Sequence, residues 1–165
     1  FGGFKSLLLA DATVTDVGAG AAVTAANVIA KMGLVVDAIN SSIYTSEDLF
    51  IYVSQNVARA YVRALGGFQA TIGGAGLNNE GTQWYNGGGL SFDGIKIAVA
   101  NGLADNTMVA AEKSNLFFGT GLLSDQNEVK VIDMADLDGS QNVRVVMRFS
   151  AGVNYAIGSD IVLYS

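Results

Sequence analysis

The side chains available for chemistry in this 165-residue sequence are carboxylates, lysines, tyrosines and hydroxyls, because it contains no histidine and no cysteine. Without imidazole or thiolate, Ser-His-Asp and Cys-His catalytic arrangements cannot be built. Ordinary zinc, copper and iron–sulfur sites also lose their usual ligands. General acid–base catalysis would fall to carboxylates, lysine or tyrosine, and no spacing among them singles out a catalytic pair. We therefore predict that the protein is not an enzyme and has no cofactor or metal site.

Two glycine patterns are similar to phosphate-binding motifs. Gly18 and Gly20 open a predicted helix, as in dinucleotide-binding turns, which also need a third small residue and an acidic residue about 20 positions further on. Val23 occupies the third position and Asp37 lies too near, so flexible entry to a helix is favoured. The glycines at 73–76 lack the Lys-Ser/Thr ending of a P-loop, and a flexible loop explains them better.

An acidic cluster near the C-terminal third raises the alternative of a calcium site. It contains Glu128, Asp133, Asp136 and Asp138. An EF-hand loop needs ligands at alternate positions and a bidentate glutamate at its twelfth position, where this sequence has Arg144. A solvated hairpin turn is favoured, since the last of these aspartates is followed by glycine.

Four residues are candidates for contacts between subunits. Arg59 and Arg63 lie four positions apart on one side of a predicted helix, and a neighbouring subunit's carboxylate or a phosphate could bind them. No basic stripe surrounds them, so an exposed helix face explains them equally well. Trp84 and Tyr85 lie among glycines and either anchor a loop or form an inter-subunit contact, as exposed aromatic residues often do.

The first half of the chain is predicted to position these residues mainly on helices. Residues 1–19 have no clean period and are predicted to be irregular or to form a frayed strand. A helix is predicted over residues 20–43, with an apolar stripe at steps of three and four formed by Ile29, Met32, Val36, Ile39 and Ile43. The run at 49–53 is typical of a strand covered on both faces. Ser54 then precedes a second predicted helix over residues 55–65.

The second half is predicted to be mostly β-structure. The Gly-rich stretch at 66–90 predicts a long, mobile surface loop or a small hairpin. Alternating or β-branched runs then predict strands at 95–99, 108–113, 129–132 and 143–149, with a further apolar alternation at 152–164. In the run at 143–149, Val143, Val145, Met147 and Phe149 are predicted to face one side, and Arg144, Val146 and Arg148 the other. Helices followed by strands indicate an α+β fold.

Composition places the chain among globular proteins. Half of the residues are hydrophobic and 15% are charged, whereas disorder needs lower hydrophobicity or higher charge. The formal net charge is −6 and the isoelectric point about 4.4, so we expect at most weak, indirect contact with DNA. No apolar run reaches the roughly 18 residues of a membrane-spanning helix, and we predict neither a membrane span nor a signal peptide.

A resemblance to a known family lies in the segments 46–54 (SEDLFIYVS), 56–61 (NVARAY), 90–99 (LSFDGIKIAV), 105–112 (DNTMVAAE), 115–125 (NLFFGTGLLSD) and 144–153 (RVVMRFSAGV). They resemble the major capsid proteins of tailed bacteriophages with the Hong Kong 97-type fold. The first two look like that family's strand–helix segment, and the last looks like its return strand. The resemblance covers roughly residues 20–165.

That resemblance implies an axial-domain-like sheet flanked by helices plus part of a peripheral-domain sheet. We expect residues 20–142 to form mainly the axial-type domain and residues 143–165 to be return strands that complete a peripheral-type sheet. The 165-residue sequence is too short to include the family's N-terminal arm, long spine helix and extended loop as well. Together with Phe1 in place of methionine, this indicates a C-terminal fragment, which is compatible with a monomer on its own.

The function implied is that of a capsid subunit. The full-length protein would form homo-oligomeric capsomers and a shell lattice in the virion, assembled in the cytoplasm of the host bacterium. An encapsulin-type compartment is a variant of this hypothesis. A Gly-rich surface binding or adhesion module using residues 66–90 is the main alternative, and a nucleotide-binding enzyme using Gly18 and Gly20 is a third.

Overall fold

The computed structural model describes residues 3–18, 21–65, 89–121, 128–135, 139, 141–148 and 150–165. These residues form three α-helices and ten strands. The helices are α1 (Phe4–Ala10), α2 (Val28–Asp37) and α3 (Gln55–Ala64). The strands are β1 (Thr15–Asp16), β2 (Leu49–Val53), β3 (Ser91–Phe92), β4 (Ile95–Val99), β5 (Met108–Glu112), β6 (Leu116–Thr120), β7 (Glu128–Asp133), β8 (Val143–Arg148), β9 (Ala151–Tyr155) and β10 (Val162–Tyr164). None of the helices in these described ranges has the length and apolar character to span a membrane.

A six-stranded sheet forms the body of the molecule, in the order β1-β10-β5-β2-β4-β3. Strand β2 pairs parallel to β4 and antiparallel to β5, and β10 pairs antiparallel to β5 and parallel to β1. The connection from β2 through α3 to the parallel strand β4 is a β-α-β unit, which requires a crossover to return the chain to the same end of the sheet.

Two hydrophobic clusters cover the two faces of the central strand β5. Met108 and Ala110 belong to the cluster under α2 and α3, and Val109 and Ala111 belong to a smaller cluster that includes Leu8 of α1. All four β5 residues are buried, as expected when alternate side chains of a strand point to opposite covered faces.

The predicted strand at 49–53 and the predicted helix after it are confirmed. In β2, Leu49, Ile51 and Val53 are buried while the residues between them are half-buried, so one face is fully covered and the other partly. Helix α3 buries Val57 and Tyr61. Ser54 occupies the N-cap position without capping the helix through its side chain; its hydroxyl donates to Asn56 Oδ1 at 2.6 Å.

The helix predicted over residues 20–43 is shorter than expected. Helix α2 ends at Asp37, and Asn40 then accepts a hydrogen bond from the Ser42 backbone N–H at 3.2 Å, a local turn that competes with helix continuation. Ile39 and Ile43 are buried beyond the helix, whereas Ile29 is 48% exposed. The prediction that the stripe is buried is therefore confirmed for four of its five residues and wrong for Ile29.

The irregular segment predicted for residues 1–19 is wrong for the residues of α1, which is held by the burial of Leu8. At the other end of the chain, β10 lies inside the six-stranded sheet between β1 and β5, rather than in a separate sheet with the other return strands. Val162, Leu163 and Tyr164 are all buried, which gives the physical reason. The division into axial-type and peripheral-type domains stays a prediction.

Four strands form an arm outside that sheet. Strand β6 pairs antiparallel with β9 (the proximal ribbon), and β7 pairs antiparallel with β8 (the distal ribbon). The chain passes from β6 into β7 and returns from β8 into β9, so the distal ribbon follows the proximal one. At the end of the proximal ribbon, Gly121 N–H donates to Ser150 O at 3.1 Å. The predicted hairpin between the runs at 129–132 and 143–149 is confirmed by the β7–β8 register, although residues 136–138 and 140 of its turn lie outside the described residues.

Candidate assembly surfaces

A buried asparagine holds the base of the arm. Asn115 is 7% exposed; its Nδ2 donates to Ile157 O at 2.8 Å, and its Oδ1 accepts from the backbone N–H groups of Ala156 and Ile157 at 3.0 and 2.9 Å. Its side chain thereby joins the chain entering β6 to the chain leaving β9. Three hydrogen bonds nearly fill the capacity of one amide side chain, so the arm starts from a fixed point on the body.

A second polar contact connects the proximal ribbon to the N-terminal segment. Tyr155 OH donates to Asp11 Oδ2 at 2.6 Å, while Asp11 Oδ1 accepts from Thr13 N–H at 2.8 Å and Thr13 Oγ1 at 2.7 Å. The Tyr155 hydrogen bond, followed by the two from Thr13, lowers the pKa of Asp11 below its ordinary value. The same bond to the carboxylate raises the pKa of Tyr155.

This contact makes a prediction about stability and pH. Because the folded pKa of Asp11 is depressed, its contribution is present above the unfolded value of about 3.9 and is lost as pH falls through the folded pKa. Because the folded pKa of Tyr155 is raised, its contribution is present below about 10 and is lost as pH rises through the folded pKa. We expect Tyr155→Phe to flatten the pH profile of the free energy of unfolding at both ends.

Chemical denaturation from acid to alkaline pH measures this effect. Tyr44→Phe is the comparison variant, since Tyr44 OH donates to Asp93 at 3.0 Å on another part of the surface. That bond also raises the pKa of Tyr44, so this variant is expected to flatten the alkaline end as well, and the acid end is the readout specific to Tyr155→Phe. A Tyr155→Phe profile that coincides with that of the wild type would show that the Asp11–Tyr155 contact is not maintained in solution.

The distal ribbon presents one face made almost entirely of aliphatic side chains. The register places Val129 opposite Met147 and Val131 opposite Val145, with Val143 next along β8. These five side chains are 53% to 65% exposed. Neither hydrophobic cluster includes any described residue of β7 or β8, so the described part of the body does not cover this face.

The reverse face of the distal ribbon carries its described cationic side chains. Lys130 and Arg144 are exposed there, with Ile132 and Val146 half-buried between them. The odd-numbered residues thus form an apolar face, apart from Asp133 at its turn end, and the even-numbered ones form a mixed face. This matches the predicted alternation along 143–149, in which Val143, Val145 and Met147 share a side; Phe149, the fourth residue predicted there, lies outside the described residues.

The four candidate contact residues have different outcomes. Arg59 and Arg63 are exposed on α3, four positions apart and so on one side of the helix, and no hydrogen bond or ion pair joins either to another described residue. Trp84 and Tyr85 lie outside the described residues. The role of all four as inter-subunit contacts stays a prediction.

The glycine pattern near the N-terminus has a packing explanation. A Cβ atom on Gly18 would lie 2.4 Å from the backbone nitrogen of Ser165, and the neighbouring Val17 N–H donates to Leu163 O at 2.9 Å. Position 18 therefore requires glycine, because the chain after β1 runs so close to the end of β10 that a side chain would collide with its backbone. Gly20 lies outside the described residues.

An open cleft lies at the amino-terminal ends of β2 and β4. It has a volume of about 540 Å³ and is lined in part by Tyr44, Glu47, Asp93 and Lys96. The hydrogen bond to Asp93 raises the pKa of Tyr44. No group of three potential metal-ligating residues occurs within the described parts of the chain; of the acidic cluster considered above, Asp136 and Asp138 lie outside them.

The fold is similar to those of solved viral and virus-like particles. A chain in the structure of Mycobacterium phage Che8 matches with a TM-score of 0.64 and 17% identity, over 92% of this chain and 53% of that one. A chain of the satellite phage P4 procapsid that includes the size determination (Sid) protein matches with a TM-score of 0.55 and 10% identity, over 97% and 50%. A chain of the virus-like particle from Pyrococcus furiosus matches with a TM-score of 0.51 and 10% identity, over 96% and 57%. No protein-family model and no curated protein sequence matches the chain.

These similarities show that the chain has the fold of phage major capsid proteins. The predicted α+β capsid fold is thereby confirmed. The chain spans about half the length of the structures it matches, from 50% to 57%.

Proposed function

We propose that this chain is part of the structural subunit of an icosahedral capsid of a tailed phage or prophage, which self-assembles around packaged DNA. The observation that carries the proposal is the similarity of 92% of the chain to the Che8 chain at a TM-score of 0.64. Similarity to a procapsid chain over 97% of this chain supports the same class. The subunit would reside in the virion after assembly in the bacterial cytoplasm.

The surface chemistry supports a structural role. Arg59 and Arg63 lie exposed beside one another, and the distal ribbon exposes aliphatic side chains, as expected of surfaces that meet other subunits. A net charge of −6 disfavours tight binding to phosphates, so any contact with packaged DNA would be weak and indirect.

A cellular compartment shell is the runner-up. The Pyrococcus furiosus virus-like particle matches with a TM-score of 0.51, below the values for both phage structures, and the phage assignment is therefore preferred. A binding or adhesion module would rest on residues 66–90, which lie almost wholly outside the described residues.

Electron microscopy of negatively stained gene product tests the proposal. The natural gene product that contains these residues, expressed alone and with its neighbouring genes, is expected to form closed icosahedral shells. Its failure to form shells or capsomers under any condition would overturn the proposal. Saturable binding of a glycan by the 165-residue chain would favour the adhesion alternative instead.

A charge reversal on α3 tests whether the arginine pair contributes to assembly. We expect Arg59→Glu/Arg63→Glu to lower the yield of shells by at least about tenfold, because a contact with a neighbouring carboxylate becomes a repulsion that costs several kcal/mol. The stability of the isolated chain should change by less than about 0.5 kcal/mol, since both side chains are exposed and neither has a hydrogen bond or ion pair to another described residue.

Lys96→Glu/Lys113→Glu is the charge-matched control, because both lysines are exposed elsewhere on the body. Light scattering and particle counts give the yields. If both double variants assemble equally well, α3 is an exposed helix face and the arginines are not an interface.

A further inference from the structure

We propose that the apolar face of the distal ribbon binds the same face of a second copy of this chain. The face consists of Val129, Val131, Val143, Val145 and Met147, each more than half exposed. The choice of a second copy rests on the proposed function, since in a shell the neighbour of a subunit is another subunit.

The ribbon needs a partner for physical reasons. An isolated two-stranded ribbon is marginally stable in water and requires packing against another element. Among the described residues, these two strands pair only with each other, and both hydrophobic clusters lie elsewhere. Burial of the aliphatic face would stabilise the ribbon by removing apolar surface from water.

The distribution of charge favours a second copy over a charged partner. Lys130 and Arg144 are on the reverse face, and the carboxylate at the turn end of the apolar face, Asp133, is engaged by the Ala135 N–H at 2.9 Å. Ionised groups on a partner surface would be buried against valine and methionine side chains, which offer them no hydrogen bonds. Burial of a charge without a compensating partner costs free energy. The matching surface must itself be apolar over its centre, with any charged group confined to its edge, as Asp133 is on this face.

Elsewhere in the described chain, the remaining exposed large apolar side chains are more scattered. Ile29 and Leu34 lie five positions apart on α2, Phe117 and Phe118 point to opposite faces of β6, and Leu9 and Ile157 are in other elements. The distal face unites five such residues in register on two strands. Its best partner within the described chain is therefore itself, which defines a two-fold contact.

The contact would resemble the packing of two sheets face to face. Such layers lie roughly 10 Å apart with interdigitating side chains. In a two-fold arrangement Val131 and Val145, the middle cross-strand pair of the face, lie nearest the axis. The cationic reverse faces then point away from each other, which keeps like charges apart.

Sedimentation equilibrium of the 165-residue chain from micromolar to millimolar concentration tests this contact. We expect a monomer–dimer equilibrium whose dissociation constant rises at least about tenfold in Val131→Thr/Val145→Thr. Threonine keeps the branched shape and strand preference of valine but places hydroxyls in the contact. Gln141→Thr/Asn142→Thr is the matched control, because both residues are exposed near the turn of the same hairpin.

Methyl NMR of the wild-type chain provides a measurement without substitution. The signals of Val131, Val145 and Met147 should shift with concentration, while that of the buried Ile51 stays constant. A wild-type chain that remains monomeric at millimolar concentration would overturn the inference and point to a different occupant. Equal dissociation constants for the wild type and the Val131→Thr/Val145→Thr variant would also overturn it.

These results are separable from a failure of the proposed function. Shells formed by the gene product together with a monomeric 165-residue chain would contradict the ribbon contact alone. Dimers that depend on Val131 and Val145, together with no shells under any condition, would contradict the capsid function alone.

Discussion

Replacement of Ile51 by alanine is expected to lower the free energy of unfolding by about 3 kcal/mol, within the 2–5 kcal/mol typical of such a cavity in a core. Ile51 is fully buried on β2, between Ile97 of β4 and Ala110 of β5. Truncation removes apolar atoms from the main cluster and leaves a void that surrounding strands cannot fill. Urea denaturation of the isolated chain measures the loss.

Two further variants calibrate this result. Ile51→Val should cost only about 1 kcal/mol, because one methylene is removed. Leu34→Ala is the exposed control, since Leu34 is 52% exposed on α2 and alanine favours helices, so a change within about 0.5 kcal/mol is expected. An Ile51→Ala effect no larger than the Leu34→Ala effect would mean that β2 is not a central strand.

Asn106→Ala is expected to lower the free energy of unfolding by about 2–3 kcal/mol, from lost hydrogen bonds and backbone strain. Asn106 has a φ of 62°, a conformation that asparagine tolerates better than alanine. Its Oδ1 accepts from Val23 N–H at 2.9 Å and from Asn56 Nδ2 at 2.9 Å. The Asn106 N–H also donates to Asn56 Oδ1 at 3.0 Å, so one residue joins three separate segments.

Asn106→Gly separates the two causes. Glycine adopts positive φ without steric cost, and the glycine variant should therefore be about 1 kcal/mol more stable than the alanine variant. Both should remain less stable than the wild type because both lack the amide oxygen. Equal stability of the alanine and glycine variants would show that Asn106 does not hold a left-handed conformation in solution.

The sequence predicts well those elements whose local residue pattern agrees with the burial that the surrounding fold gives them. The run at 49–53 and the residues of α3 combine strong preferences with an apolar face that the fold buries. The same holds for the start of β5, where Met108 to Ala111 are buried on both sides. For these segments, periodicity and burial agree.

The elements that were missed depend on contacts between distant parts of the chain. Helix α1 is too short to be stable by itself and relies on Leu8 packing beside Val14, Ile161 and other residues. Strand β10, near the C-terminal end of the chain, pairs with β1 near the other end and with β5, which lies between them in the sequence. No local pattern contains that pairing.

The candidate surfaces were predictable only in part. The spacing of Arg59 and Arg63 was enough to place them on one side of a helix, and both are exposed. The alternation of Val143, Val145 and Met147 predicted a shared face, but an alternating pattern usually indicates a covered side. That this face is exposed emerges only when the rest of the fold is known, since neither cluster reaches it.

Cryo-electron microscopy of particles formed by the natural gene product is the most direct test of the capsid assignment. The predicted result is a closed icosahedral shell whose repeating subunit contains the six-stranded sheet in the order β1-β10-β5-β2-β4-β3, with α2 and α3 on one face. A gene product that stays dispersed under all conditions, or particles whose subunit density cannot accommodate this sheet, would contradict the account.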